Sequence, residues 1–206
     1  MHGTDLSDDI SMTDDNICDG ENPSAWCHVS YWEFRHRVGP QFSAVNSWTN
    51  VYQDLPLCDG VALSALQEQS SQNVQMCQCH ELSDADQVAV SRTRAKIGRG
   101  VVLSHEHGTV WLYNCSEYPV FVRSPTLLSQ PHLPCSQVVQ RLPPGHCLCA
   151  FDGNLIAKLA VGERSCGHYS LQVSFAKGWG VAYSRQFITA CPCWLEVHIT
   201  HPHHYG

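Results

Sequence analysis

The sequence predicts a mainly β protein, an antiparallel β-sandwich with a few short helices and loops at its ends. Three observations carry this expectation. Leu171, Val173 and Phe175 alternate with Gln172, Ser174 and Ala176, the two-residue period of a strand with one buried face. Phe187, Cys191, Cys193, Leu195 and Val197 repeat that period further on, so the two stretches read as a strand pair. Val101 to Leu103, Val110 to Tyr113 and Val120 to Val122 are short apolar runs separated by turn residues, the spacing of a sandwich. At 206 residues the chain suits one domain with a full core and loose ends.

Along the chain, residues 1–23 are acidic and poor in large apolar groups, which predicts a disordered segment. Trp26 to Phe34 reads as the first strand, with aromatic residues on both faces. Residues 40–82 are rich in Ser, Gln and Asn and read as irregular, with Gln67 to His80 resembling an insertion. Ser83 opens a helix: Ser83 and Asp86 form a capping box with Asp in place of the usual Glu, and Gly98 closes it. Arg92, Arg94 and Lys96 load its last turn, complementing the helix dipole. Asn114-Cys115-Ser116 reads as a turn rather than a glycosylation acceptor, and Arg123-Ser124-Pro125-Thr126 as a strand exit rather than a kinase site. Pro143-Pro144-Gly145 turns into a run from Cys147 to Phe151, and Asn154 to Ala160 has room only for a short helix. Residues 201–206 form a short tail.

Composition excludes several function classes. No apolar run approaches the roughly 18 residues of a membrane span, and the acidic N-terminus lacks a signal peptide's basic segment and apolar run. A soluble, intracellular protein is expected. The net charge of −7 is unevenly spread: Asp5, Asp8, Asp9, Asp14, Asp15, Asp19 and Glu21 precede the first lysine or arginine. An acidic chain with no basic tail argues against nonspecific DNA binding. The 12 cysteines include Cys77/Cys79, Cys147/Cys149 and Cys191/Cys193, all C-x-C rather than C-x-x-C pairs, and within a strand that spacing places both sulfurs on one face. In a reducing compartment they read as structural thiols. Cys77, Cys79 and His80 form a weak metal candidate without an evident fourth ligand, so no metal site is expected. No nucleophile, base and orienting acid occur at motif spacing, so neither an enzyme nor a cofactor is expected.

One stretch invites a binding role. Gly178 and Gly180 permit backbone angles closed to other residues and would hold Trp179 out on a tight loop, with Lys177 and Arg185 flanking the ring. Such a surface suits an anionic partner, although a tryptophan beside glycines is equally readable as a core residue. Arg92 and Lys96, four apart on one helix face, lie in a second basic cluster with Arg94 and Arg99.

FAKGWG at 175–180, followed by YSRQFITACPCWLE at 183–196, resembles the receptor- and phosphopeptide-binding loop of the Smad signal transducers, in their Mad-homology-2 domain. Its wording is closest to the inhibitory Smads. WCHVSYWEFRHRVG at 26–39, RTRAKIGRGVVL at 92–103, VWLYNCSEYPVFVRSPTL at 110–127 and LPPGHCLCAFD at 142–152 match in order, so the resemblance covers residues 24–200. It implies a sandwich of the SMAD/FHA kind, with short strands and a variable loop across residues 40–82. It also implies that the helix end lies beside the Gly-Trp-Gly loop, forming a basic surface that recognises phosphorylated serines.

Carried over by motif, the binding residues are Arg92, Lys96, Lys177, Trp179 and Arg185, with Gly178 and Gly180 shaping the loop. The implied role is negative regulation of TGF-beta and bone morphogenetic protein signalling, by occupying an activated type I receptor kinase in competition with receptor-regulated Smads. The alternative is capture of phosphorylated or common-partner Smads in mixed complexes that repress transcription. The implied locations are cytoplasm and nucleus, with recruitment to plasma-membrane receptors. The family's receptor-phosphorylated serine tail, N-terminal DNA-binding domain and Pro-Pro-x-Tyr linker do not occur in this sequence. A fragment or short isoform is expected, and a shortened helical segment before the loop weakens the case for a homotrimer.

Overall fold

The computed structural model describes residues 24–56, 58–73, 82–127, 138–159 and 169–200. The expected acidic segment 1–23, the tail 201–206 and the Cys77/Cys79/His80 cluster lie outside them. The strands are β1 (Cys27–Glu33), β2 (His36–Ala44), β3 (Trp48–Tyr52), β4 (Val61–Ala62), β5 (Val101–Glu106), β6 (Thr109–Asn114), β7 (Val120–Arg123), β8 (Gln140–Leu142), β9 (Cys147–Asp152), β10 (Tyr169–Phe175) and β11 (Trp194–Ile199). The helices are α1 (Leu63–Asn73), α2 (Asp84–Ile97) and α3 (Gly153–Leu159).

The strands form a six-stranded sheet, β2-β1-β11-β10-β7-β8, and a five-stranded sheet, β4-β3-β5-β6-β9. Every pairing is antiparallel except β3 with β4. Alternation does what the sequence requires of it. Val29, Tyr31, Leu171, Val173, Leu195 and Val197 of the first sheet join Val101, Leu103, Val110, Leu112 and Phe151 of the second in one buried cluster. Removing each such side chain from water contributes roughly 1.5 to 3 kcal/mol, which fixes the register of both sheets.

The other face of the six-stranded sheet carries a second cluster, Phe121, Trp179, Ile188, Cys191 and Trp194, with Trp32, Val139 and Tyr183 packed against it. Trp32 and Trp194 are direct cross-strand partners and stack at 5.3 Å. This outer aromatic layer supports the loop that follows β10.

Helix α2 starts and stops where its sequence signals lie. The Asp86 N–H donates to the Ser83 hydroxyl at 3.2 Å, which caps the helix, and that hydroxyl donates to the Asp86 carboxylate at 2.7 Å, so the shorter Asp side chain meets the hydroxyl of Ser83 in place of its backbone N–H. After Gly98, Gly100 adopts φ +63, and a Cβ there would stand 1.8 Å from the Val51 carbonyl oxygen, so only glycine admits the turn from α2 into β5.

Two expectations fail. Residues 40–82 are not simply irregular: most of β2 and all of β3 and β4 are the short strands the resemblance implies, while the 11-residue α1 was not expected. The polar face of α1 hid its helical period; Leu66 packs under Gly39, and the Gly39 N–H donates to the Ser70 hydroxyl at 2.7 Å. The second failure lies at 187–193. The stretch before β11 is a 3-10 turn at Ile188–Ala190 and an irregular Cys-Pro-Cys segment, and Phe187 is 69% exposed rather than inward. Nor do Cys191 and Cys193 share a face: the Cys-Pro-Cys segment precedes β11 and is not a strand, and Cys191 enters the outer cluster while Cys193 enters the inner one.

The strand-exit reading of 123–126 fits. Ser124 and Thr126 are buried, and the Asp152 N–H donates to Thr126 Oγ1 at 3.0 Å. Asn114 organises the 114–118 turn, accepting from Ser116 and donating to the Tyr118 and Leu142 carbonyls.

Candidate functional site

The loop after β10 departs sharply from the sheet. Ala176 takes φ +56, uncommon for a residue with a Cβ, and its N–H donates to the Pro119 carbonyl at 3.0 Å. Gly180 follows at φ +92; its N–H donates to the Arg185 carbonyl at 2.7 Å, and the Tyr183 N–H donates back to Gly180 at 3.0 Å, which closes the loop on itself. Gly178 serves a different need. A Cβ there would lie 2.5 Å from the Tyr183 ring, so the glycine lets that ring pack flat on the backbone.

Trp179 does not stand out from this loop. It is 1% exposed and fills the outer aromatic cluster, and its indole N–H has no hydrogen-bond partner among the described residues. The glycines turn the ring inward, and burying so large an apolar surface outweighs leaving the N–H unsatisfied. The expected surface contact by Trp179 is therefore corrected to a structural anchor of the loop.

The cations divide into two groups. Arg94 faces inward: its Nε donates to Glu33 Oε1 at 2.7 Å and its Nη2 to Oε2 at 2.6 Å, while Tyr31 donates to the same carboxylate at 2.8 Å. Burial pulls the Arg94 pKa down, but the hydrogen bonds and charge of Glu33 more than compensate and raise it. Its charge is spent inside the molecule. Arg92 and Arg99 are exposed, and Lys96, Lys177 and Arg185 are half-buried. Among the described residues none of these five forms an ion pair.

Contacts tie the two basic segments together. The Lys96 ammonium sits 5.2 Å above the Tyr118 ring, within cation–π range. Tyr118 adjoins Pro119, whose carbonyl holds Ala176, the neighbour of Lys177. Lys96 and the start of the loop thus flank one two-residue bridge. Arg185 joins through its backbone bond to Gly180 and lies close enough to act on Cys191. Burial pushes the Cys191 thiol up while the Arg185 charge pulls it down. Arg92, one turn before Lys96 on the same face, belongs to this surface through α2.

A second link runs beneath the surface. The Cys191 thiol donates to the Lys177 carbonyl at 3.7 Å, and the Cys193 thiol to the Val90 carbonyl of α2 at 3.7 Å. One Cys-Pro-Cys segment therefore holds the loop with one sulfur and the helix with the other. Burial pushes the Cys193 thiol up to about 12, so it is an inert packing group.

Residues 24–200 match the MH2 domain family. The chain belongs to that family. The MH2 domain here is 39% identical over 187 residues to mothers against decapentaplegic homolog 6 of Gallus gallus, covering 87% of this chain and 39% of that protein. It is 36% identical over 185 residues to homolog 7 of Homo sapiens, covering 84% and 38%. These two relatives are inhibitory Smads, so the expected branch of the family is the one matched. Dwarfin sma-3 of Caenorhabditis elegans is 29% identical over 193 residues, covering 88% and 45%. The chain spans about two fifths of the length of the curated relatives it matches. The fold also resembles the IAD domain of interferon regulatory factor 9, with TM-score 0.53, 10% identity and coverage of 85% and 83%. MH2 domains are a signalling and adaptor family. Among the described residues of this one, no helix is long and apolar enough to cross a membrane, and no three metal-ligating side chains group together.

Sequence reasoning about the MH2 surface missed Tyr118, which positions Lys96, and Glu33, which takes Arg94 out of the basic cluster. Neither carries a motif signal, since each acts through a contact distant in sequence.

Proposed function

We propose that this MH2 domain acts as an inhibitory Smad, a negative regulator of TGF-beta and bone morphogenetic protein signalling. It binds the phosphorylated juxtamembrane segment of an activated type I receptor serine/threonine kinase and keeps receptor-regulated Smads from the same surface. The observation that supports this reading is the Lys96–Tyr118–Pro119–Ala176 chain of contacts, which links Lys96 of α2 to the start of the Lys177 loop. Arg92, Lys96, Lys177 and Arg185 are the proposed contacts. None is spent on an acid among the described residues, so their charge is available to a ligand.

Phosphoserine brings nearly two negative charges and three strong acceptors. Each charge-assisted hydrogen bond contributes about 1.5 to 3 kcal/mol, so three or four supply the roughly 8 kcal/mol of micromolar recognition. The domain works in the cytoplasm and nucleus and reaches the membrane through the receptor alone.

Titration with phosphorylated and unphosphorylated receptor juxtamembrane peptides tests the proposal, and equal affinities overturn it. A phosphorylated Smad-tail peptide on the same sample separates receptor occupation from Smad capture: preference for the tail favours capture.

A further inference from the structure

On the outer face of the six-stranded sheet, two histidines stand directly opposite each other on neighbouring interior strands. His28 of β1 pairs with His198 of β11 in the antiparallel register, so both side chains leave the same face. We propose that this pair is a zinc site, in which the two imidazoles hold one divalent ion between β1 and β11 and water completes its shell.

The row leaves room for an ion. Read across four strands it runs Ser43, His28, His198, Ser170, so a small hydroxyl side chain flanks each ring. The Cβ atoms of directly opposed residues lie about 5 Å apart, which lets two imidazoles swing onto one ion at a Zn–N distance of about 2 Å. Both rings are within reach of solvent: His28 is half-buried, and the His198 side chain is 42% exposed. The ligand type selects the metal, since imidazole suits zinc whereas magnesium and calcium prefer oxygen.

Each ring is already oriented through one of its nitrogens. His28 Nδ1 is hydrogen-bonded to the Ser43 hydroxyl at 2.9 Å, which makes Nε2 its metal-binding atom. His198 Nε2 lies 3.5 Å from the Glu196 carboxylate, which makes Nδ1 the corresponding atom there. In histidine metal sites, a bond from the second ring nitrogen to an oxygen fixes the tautomer and raises the basicity of the ligand. Ser30 and Gln172, which oppose Glu196 on the two neighbouring strands, are neutral, so the carboxylate favours a cation beside His198.

The pair is separate from the phosphoserine surface. A rise of four residues, about 13 Å, divides His28 from Trp32 and His198 from Trp194 along the same face. An ion held there ties β1 to β11 at the end remote from Glu33 and the Cys-Pro-Cys segment.

The test adds zinc chloride to the whole chain, first stripped with a chelator that is then removed, and follows thermal unfolding. An ion that binds only the folded state raises the midpoint, here by about 5 to 10 °C at a hundredfold excess over its dissociation constant. His28→Gln and His198→Gln, each compared with its own zinc-free midpoint, are expected to abolish the shift, and Glu196→Gln to weaken zinc affinity about tenfold. His28→Ser and His198→Ser stand in where a glutamine variant fails to fold. Histidine modification with diethyl pyrocarbonate, read by mass spectrometry, gives a second measure: zinc is expected to protect His28 and His198 together. Three results overturn the proposal. They are no shift at millimolar zinc, a shift that survives either single variant and so places the ion elsewhere in the chain, and protection that spares His28 or His198.

Discussion

The Arg94 guanidinium grips the Glu33 carboxylate with two of its nitrogens, joining α2 to β1 across 61 positions of sequence. It is the one basic residue of the α2 end whose role is structural, and it separates two kinds of cation that look alike in the sequence. Arg94→Ala leaves a carboxylate only 6% exposed without its partner. A fully buried pair broken this way costs roughly 3 to 5 kcal/mol; Arg94 keeps 32% of its side chain in water, so about 2 kcal/mol is expected from denaturant unfolding. Arg92→Ala, at an exposed position, changes stability by less than about 0.5 kcal/mol.

Lys96→Ala and Lys177→Ala do the reverse. Each lowers affinity for a phosphorylated receptor peptide about tenfold while leaving the unfolding midpoint near that of the parent chain. Raising salt weakens the parent more steeply than the double variant, because exposed charge pairs are screened. Tyr118→Leu, which keeps bulk but removes the ring beneath Lys96, produces part of the Lys96 effect, measured by the same titration.

Trp179 decides between a contact and an anchor. Trp179→Ala is expected to cost about 3 to 5 kcal/mol, the range for emptying a large core site, and to unfold a marginal domain outright. Trp179→Phe loses less and also removes the unsatisfied indole N–H. If Trp179→Ala left the thermal midpoint unchanged and reduced only peptide affinity, the ring would be a surface contact after all.

His105 stacks on Trp26 at 5.1 Å, and burial lowers its pKa from the usual 6.5. The folded state therefore binds its proton less readily than the unfolded chain does. Its contribution to stability is present above pH 6.5 and is lost as pH falls from there through the lowered folded value. Unfolding measured across that window should show the loss, and His105→Phe should flatten it.

Much of this architecture was legible because period-two burial is a local signal. β1, β5, β6, β7 and β10 lie where alternation puts them, and Ser83 and Gly98 bound α2 as their chemistry requires. What was hidden depends on distant partners. α1 is mostly polar, and its formation rests on contacts distant in sequence: Leu63 is buried in the core, and Leu66 and Ser70 pack against Gly39. Phe187 keeps the strand period yet faces water, because Pro192 and the turn at Ile188–Ala190 end the alternation before it reaches that residue. For the basic surface, the residue types and helix spacing were readable. That Glu33 claims Arg94, and that two glycines fold Trp179 inward rather than outward, belong to packing alone.

Because Cys191 and Cys193 fasten the loop and α2 to the same approach into β11, the geometry of recognition is inherited from the sheet beneath it. A screen for variants that fail to bind would return hits along β1 and β11, far from any ligand atom. Such hits would betray shifted scaffolding rather than missing contacts, and restoring them would require compensating changes in the sheet, not at the surface.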